Sequence, residues 1–148
     1  MATMRKSKPP LSSADDTEVA FYDALQQADL DRLMACWADE DDIVCIHPGG
    51  PRLLGHAAIR AAFDAVFANG TVKAFVEKVR RIDTGSISVH SVIEWVEVMG
   101  NDGPQTAWVV ATNVYAKTAE GWRLVTHHAS PGTRDEPVDV MAEPQVLH

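Results

Sequence analysis

Three scarcities narrow the reading before any motif is considered: two cysteines in 148 residues, 13 basic side chains against 21 acidic ones, and no long apolar run. Cys36 falls in a helical pattern and Cys45 in a strand pattern, without the spacing of a metal or redox pair. Both read as buried reduced thiols of a cytoplasmic protein. The shortage of positive charge leaves a net charge of -8 and a pI near 5.1, so neither a nucleic acid nor an anionic membrane is expected as a partner. No stretch approaches the roughly 20 apolar residues that cross a bilayer. The one basic run, Arg5-Lys6-Ser7-Lys8, has no apolar core behind it, so a secretory signal is not expected. No element carries histidines, cysteines or carboxylates at tight ligand spacing, and neither metal nor cofactor is expected.

What is present is enough apolar material, 46% of residues, for one ordinary core. Residues 1 to 14 mix Lys, Ser and Pro and read as a disordered arm, residues 15 to 132 as a single domain, and residues 133 to 148 as a loosely ordered tail. From Asp15 the periodicity is helical, with Val19, Tyr22, Leu25 and Ala28 three apart and Phe21 and Ala24 widening the stripe. Asp29 is placed to cap a second helix that carries Leu30, Leu33, Met34 and Trp37 on one face. The acidic cluster at residues 39 to 42 reads as a solvated turn. A short strand, 43 to 47, then ends in His47 before the stiff Pro48-Gly49-Gly50-Pro51, a position where scaffolds often present functional side chains. Gly55 opens a third helix along Ile59, Phe63, Val66 and Phe67, and Gly70 is placed to close it.

After Gly70 the period changes to two. Residues 72 to 82, 87 to 99, 105 to 117 and 122 to 129 predict four strands joined by short turns, an antiparallel meander. The class is therefore α+β, three N-terminal helices followed by an antiparallel sheet. In the second long strand the apolar parity slips between His90 and Ser91, which predicts a β-bulge there. That bulge would set Glu94 among Val92, Val96 and Val98, where a carboxylate must be paired, protonated or in a polar cavity unless it stands at an exposed edge. His90, His56 and His148 read as surface or turn residues. The third strand is apolar on both faces, Val109, Ala111, Asn113 and Tyr115 on one and Trp108, Val110, Thr112 and Val114 on the other, which predicts a homodimer through the outer sheet face.

The order of these elements, with particular local words, resembles the SnoaL-like, ketosteroid-isomerase-like and nuclear-transport-factor-2-like superfamily. The resemblance covers about residues 15 to 132. It rests on the paired helices ending at Trp37, the strand into His47-Pro48-Gly49-Gly50, and the helix entered through Gly55. It rests most on Thr112-Asn113-Val114-Tyr115 leading through Gly121-Trp122-Arg123-Leu124-Val125 to His127-His128-Ala129-Ser130. That combination is similar to the association domain of calcium/calmodulin-dependent protein kinase II and its bacterial relatives. The resemblance implies a cone, a strongly bent sheet wrapped around the helices with an internal pocket. It also implies that Asn113, Val125, His127 and Ala129 face the pocket, while His128 turns away with Trp122, Leu124 and Thr126. Where association domains carry pocket arginines, this chain has Asn113 and Ala129. The aspartate, tyrosine and protonated acid of the isomerases have no evident counterpart.

The candidate site is thus His47, Glu94 and His127 as proton-transfer groups, with Asn113, Tyr22 and Trp37 as ligand contacts. A histidine titrating near neutrality beside a carboxylate can move protons, and Asn113 can donate a hydrogen bond to a carbonyl that becomes enolate-like. This suggests a binder of a small apolar or carboxylic ligand, or a cofactor-independent isomerase, cyclase or dehydratase. The alternative is an oligomerisation module without catalytic activity, in which these polar groups merely satisfy one another.

Overall fold

The computed structural model describes residues 11–70 and 72–142, without the side chain of Val98. Three helices, α1 (Ala14–Gln26), α2 (Leu30–Ala35) and α3 (His56–Ala68), pack on a six-stranded curved sheet. The strands are β1 (Val44–Ile46), β2 (Arg52–Leu54), β3 (Val72–Asp83), β4 (Ile87–Gly100), β5 (Gly103–Thr118) and β6 (Gly121–Ala129), in spatial order β2-β1-β6-β5-β4-β3. β3 to β6 form the expected meander. β1 runs parallel to β6 and β2 pairs antiparallel with β1, so the sheet is mixed rather than wholly antiparallel. β2 was not anticipated, because three residues following Pro51 leave too short a run for alternation to register.

Local chemistry sets the ends of the helices. Ser13 Oγ accepts from the Asp16 amide at 3.0 Å, and Asp15 and Asp16 lie in the first turn of α1, where carboxylates favour the helix dipole. Asp29 caps α2 as expected, accepting from the Arg32 amide at 3.2 Å. Between them Ala28 takes φ 53°, the tight corner that turns one helix into the next. Of the arm, residues 1–10 lie outside the described residues, while residues 11–14 join the domain. The Leu11 carbonyl accepts from the Trp122 amide at 2.9 Å. A Cβ at Gly121, where φ is 107°, would come within 2.7 Å of that carbonyl, so this turn needs glycine both for its conformation and for the close approach. In the tail, Thr133 bridges Trp108, and Glu136 pairs with Lys78 at 2.7 Å; residues 143–148 lie outside the described residues.

The buried faces differ from the expected ones wherever a polar residue is buried with a partner. On α1 the buried stripe includes Thr17 and Glu18 with Phe21, Tyr22 and Leu25, and Val19 is 71% exposed. In β4 the predicted bulge is absent. Pairing with β5 is continuous from Ile87 to Gly100, and Ser88, His90, Val92 and Glu94 all point inward. The apparent slip arises because Ser88 and His90 are interior polar residues: Ser88 donates to Asp83, and His90 Nδ1 lies 2.9 Å from Glu18 Oε2, which also accepts from Tyr115 at 2.8 Å. His90, expected at the surface, is fully buried. The irregularities fall elsewhere. β3 bulges between Glu77 and Arg80, with Lys78 at φ 49°, and β6 carries an extra residue at Val125 between Leu124 and Thr126. This second bulge puts both Leu124 and His127 on the inner face, so Leu124 belongs to the core and not to the outer face expected of it.

Candidate functional site

A transverse row of inward side chains crosses the sheet. His90 on β4 stands opposite Asn113 on β5, Asn113 opposite His127 on β6, and His127 beside Cys45 on β1. Glu94 lies four pairs further along β4, opposite Val109. Tyr22 enters from α1, which crosses the concave face, and His47 from the residue after β1. The sheet curvature and the β6 bulge bring these side chains together from four strands and a helix.

They form one hydrogen-bonded chain. Tyr22 Oη donates to Glu94 Oε2 at 2.5 Å, Asn113 Nδ2 donates to Tyr22 Oη at 2.9 Å, and His127 Nδ1 meets Asn113 Oδ1 at 2.5 Å. Tyr22, Glu94, Asn113 and His127 are all buried. At one end Glu94 and at the other His127 border a cavity of about 110 Å³, whose wall also includes His47, Phe21, Phe63 and Val109. The His47 ring lies 6.5 Å from that of His127, centre to centre, and packs edge-on against Phe63 at 4.9 Å.

Burial controls the ionisation of these groups. It raises the Glu94 carboxyl from 4.5 to about 7, against the hydrogen bond from Tyr22, which favours the charged form, and with help from the Glu18 carboxylate. The same desolvation lowers His127 from 6.5 to about 3, with His47 and His128 acting in the same direction, and holds His47 below its ordinary value. Tyr22 is driven well above the ordinary phenol range by burial and by Glu94, so it stays a neutral donor. The Cys45 thiol, 3.7 Å from His47 Nε2, is pushed up to about 12 by burial and is no nucleophile at neutral pH.

Of the expected site residues, His47, Glu94 and His127 share the cavity wall. Asn113 and Tyr22 stand behind it: both functions of the Asn113 amide are occupied by Tyr22 and His127, so it is not the anticipated carbonyl donor. Trp37 is elsewhere. It is a core residue whose ring packs edge-on against Phe21 at 6.3 Å, because the chain leaving α2 pairs with β6 at Leu124 and so carries Trp37 into the helix–sheet core. His128 is exposed on the opposite face, as parity requires. Sequence reasoning missed the second buried cluster, Glu18, His90 and Tyr115; the even-numbered series Ser88, His90, Val92, Glu94 was its one visible sign. Among the described residues no group of three or more His, Cys, Asp or Glu is arranged to hold a metal, and no helix is long and apolar enough to cross a membrane.

Comparison with known proteins places this arrangement. A candidate calcium/calmodulin-dependent protein kinase type II association domain from Thiobacillus denitrificans is 37% identical, covering 84% of this chain and 98% of that one, with a TM-score of 0.74. A candidate dehydratase of the NTF2-like family from Streptomyces avermitilis is 30% identical, covering 78% of this chain and 90% of that one, with a TM-score of 0.70. The S. rosetta CaMKII hub, 22% identical over 86% of this chain and 99% of its own with a TM-score of 0.67, shares the fold. No curated protein matches the chain. The SnoaL-like domain model matches residues 15–134, from the first turn of α1 to the segment just past β6, and with that span covering the helices and the sheet from Asp15 onward the chain belongs to the SnoaL-like family.

Proposed function

We propose that the chain binds a small neutral carbonyl compound in the cavity between Glu94 and His127 and moves a proton on it without a cofactor. The observation that carries this reading is the cavity wall itself. It holds a carboxyl titrating near 7 and, at the other end of the same hydrogen-bonded chain, an imidazole kept neutral by burial. A group whose pKa lies near the working pH is populated in both forms and is the most efficient proton donor or acceptor. In its protonated form Glu94 gives its proton to the carbonyl oxygen. His127 Nε2 takes one from the neighbouring carbon, the C–H electrons forming the C=C bond of an enol. The site is then carboxylate and imidazolium; return of the imidazolium proton to a second carbon of a conjugated enol, and of the enol proton to Glu94, restores both groups and completes an isomerisation.

The size and charge of the cavity select the ligand. A dry cavity of about 150 Å³ holds benzene, so about 110 Å³ suits a molecule of fewer atoms and excludes a sterol unless the walls move. Among the described residues the wall carries no lysine or arginine, and a carboxylate would meet Glu94 with no counter-charge there. Of the two ligand classes considered, the neutral one fits better. The candidate Streptomyces dehydratase supports this reading.

The association module has its own support in the Thiobacillus relative and in a chain whose polar groups already satisfy one another. Self-association through the outer sheet face is compatible with both readings. Phe75 and Val110 are 40% and 41% exposed there, beside the Trp95 and Trp108 rings, which meet at a tilt with centres 4.8 Å apart. Hydrogen–deuterium exchange at the α-carbons of small ketones and enones, followed by NMR in D2O, separates the two. The enzyme reading expects exchange that falls as pH rises through about 7, with a loss of roughly 10²–10⁴-fold in Glu94→Gln. Exchange unchanged in that variant, or no exchange above buffer in the folded protein, leaves the association module standing alone.

A further inference from the structure

The chain from Glu94 to His127 has a direction, and that direction has a chemical consequence. A carboxylate can only accept, so with Glu94 ionised the Tyr22 hydroxyl must spend its one hydrogen on Glu94 Oε2, 2.5 Å away. The Tyr22 oxygen then has only acceptor capacity left, which the Asn113 NH2 group fills at 2.9 Å. The other end of the same planar amide is its carbonyl, and a carbonyl can bond His127 Nδ1 only if that nitrogen carries the hydrogen. A neutral imidazole has one N–H, so Nε2, on the side of the ring away from Asn113, is left as a lone pair in a residue that lines the cavity. Turning the amide over would reverse every link: Tyr22 would donate to Asn113 and leave Glu94 without its donor, while His127 would carry its hydrogen on Nε2.

We propose that Tyr22 and Asn113 are positioning residues that hold His127 in the tautomer with its basic nitrogen toward the cavity and tie that tautomer to Glu94. The consequence for catalysis rests on the proton-transfer reading above. If Glu94 gives up a proton while His127 gains one, the bond from Tyr22 becomes a bond to an anion and the bond to Asn113 Oδ1 becomes one from a cation. Both are then charge-assisted, and with the Glu94 proton carried on Oε1, so that Oε2 still accepts from Tyr22, both point the required way before the transfer. The two charges appear at the ends of a preorganised dipole chain, so no side chain or solvent has to turn as they form. This accounts for an asparagine at Asn113, fully buried and making no contact with the cavity.

Nitrogen NMR of the imidazoles tests this in the protein as it stands, without substrate or turnover. Above pH 8 the His127 signal should show hydrogen on Nδ1 and an unprotonated Nε2. Tyr22→Phe frees the amide to turn and should populate the form with hydrogen on Nε2. Asn113→Asp puts a carboxylate against Nδ1 and should raise the pH at which His127 protonates by one unit or more. In kinetics Tyr22→Phe should lower kcat by about 10–100-fold and leave KM within about twofold, since the relay acts in the transition state and not on the bound ligand. Hydrogen on Nε2 in the native protein, or a tautomer unmoved by Tyr22→Phe, overturns the relay; the native tautomer alone decides if either variant fails to fold. The correct tautomer without ketone exchange would refute the enzymatic function and leave the relay intact, whereas exchange with the reverse tautomer would refute only the relay.

Discussion

Replacing Glu94 by Gln should change how the stability of this protein depends on pH, by an amount that follows from two opposed groups. Raising the carboxyl from 4.5 to about 7 means that, between those values, the folded chain holds a proton the unfolded chain has lost. Its stability therefore falls as pH rises through that window, by about 1.4 kcal/mol per pH unit and about 3 kcal/mol in all. His127, lowered from 6.5 to about 3, acts with the opposite sign. The unfolded chain binds the proton first, so stability is lost as pH falls from 6.5, by up to about 5 kcal/mol at pH 3. Where the windows overlap, between pH 4.5 and 6.5, the two slopes cancel in the native protein. Glutamine keeps an oxygen for Tyr22 but cannot ionise, so Glu94→Gln should expose the histidine slope. Its stability relative to the native protein should rise by about 3 kcal/mol between pH 4.5 and 8. Urea unfolding of both proteins at four or five pH values measures this difference, and the other carboxylates, common to both, drop out. A difference that stays constant within about 0.5 kcal/mol across the range would refute the argument that Glu94 titrates near neutrality in the folded state.

Glu18→Gln leaves the buried His90 and Tyr115 without their shared carboxylate; it should destabilise by about 3–5 kcal/mol, read by urea unfolding, and a cost under about 1 kcal/mol would mean the cluster is not the fixed network described. Val110→Lys places a charge at the centre of the exposed outer face; light scattering at micromolar concentration should find the native chain dimeric and the variant monomeric, and a monomeric native chain would refute the dimer.

The long-range order of the chain was legible because it is written in periodicity. The change from period 3.6 to period 2 after Gly70, and the glycine turns near residues 85, 103 and 121, located α1 to α3 and β3 to β6 to within about two residues. His127 was expected on the pocket face from the family resemblance, and His47 was singled out as the end of a strand before a stiff loop; Glu94 was expected inside through a bulge that β4 does not contain, and it lies inside by plain alternation with Val92. Periodicity misled wherever a polar residue is buried with a partner. Ser88 and His90 broke the apolar series of β4 and imitated a bulge, while Thr17 and Glu18 rotated the buried face of α1 away from Val19. The partners lie 72 and 97 residues from Glu18, so no local window contains the reason for its burial.

The sequence by itself determined the class of fold and the family, because both follow from local alternation and local words. Only the tertiary structure decided that Asn113 stands behind the cavity wall, that Trp37 belongs to the core, and that β6 is bulged at Val125 so that Leu124 and His127 share a face. It also decided the chemistry. Desolvation that carries a carboxyl to about 7 and an imidazole to about 3, and a chain of three hydrogen bonds drawn from α1, β4, β5 and β6, depend on distances between segments up to 91 residues apart. No residue type or spacing encodes those distances; they exist only once the sheet has curved around α1 and excluded water from between them.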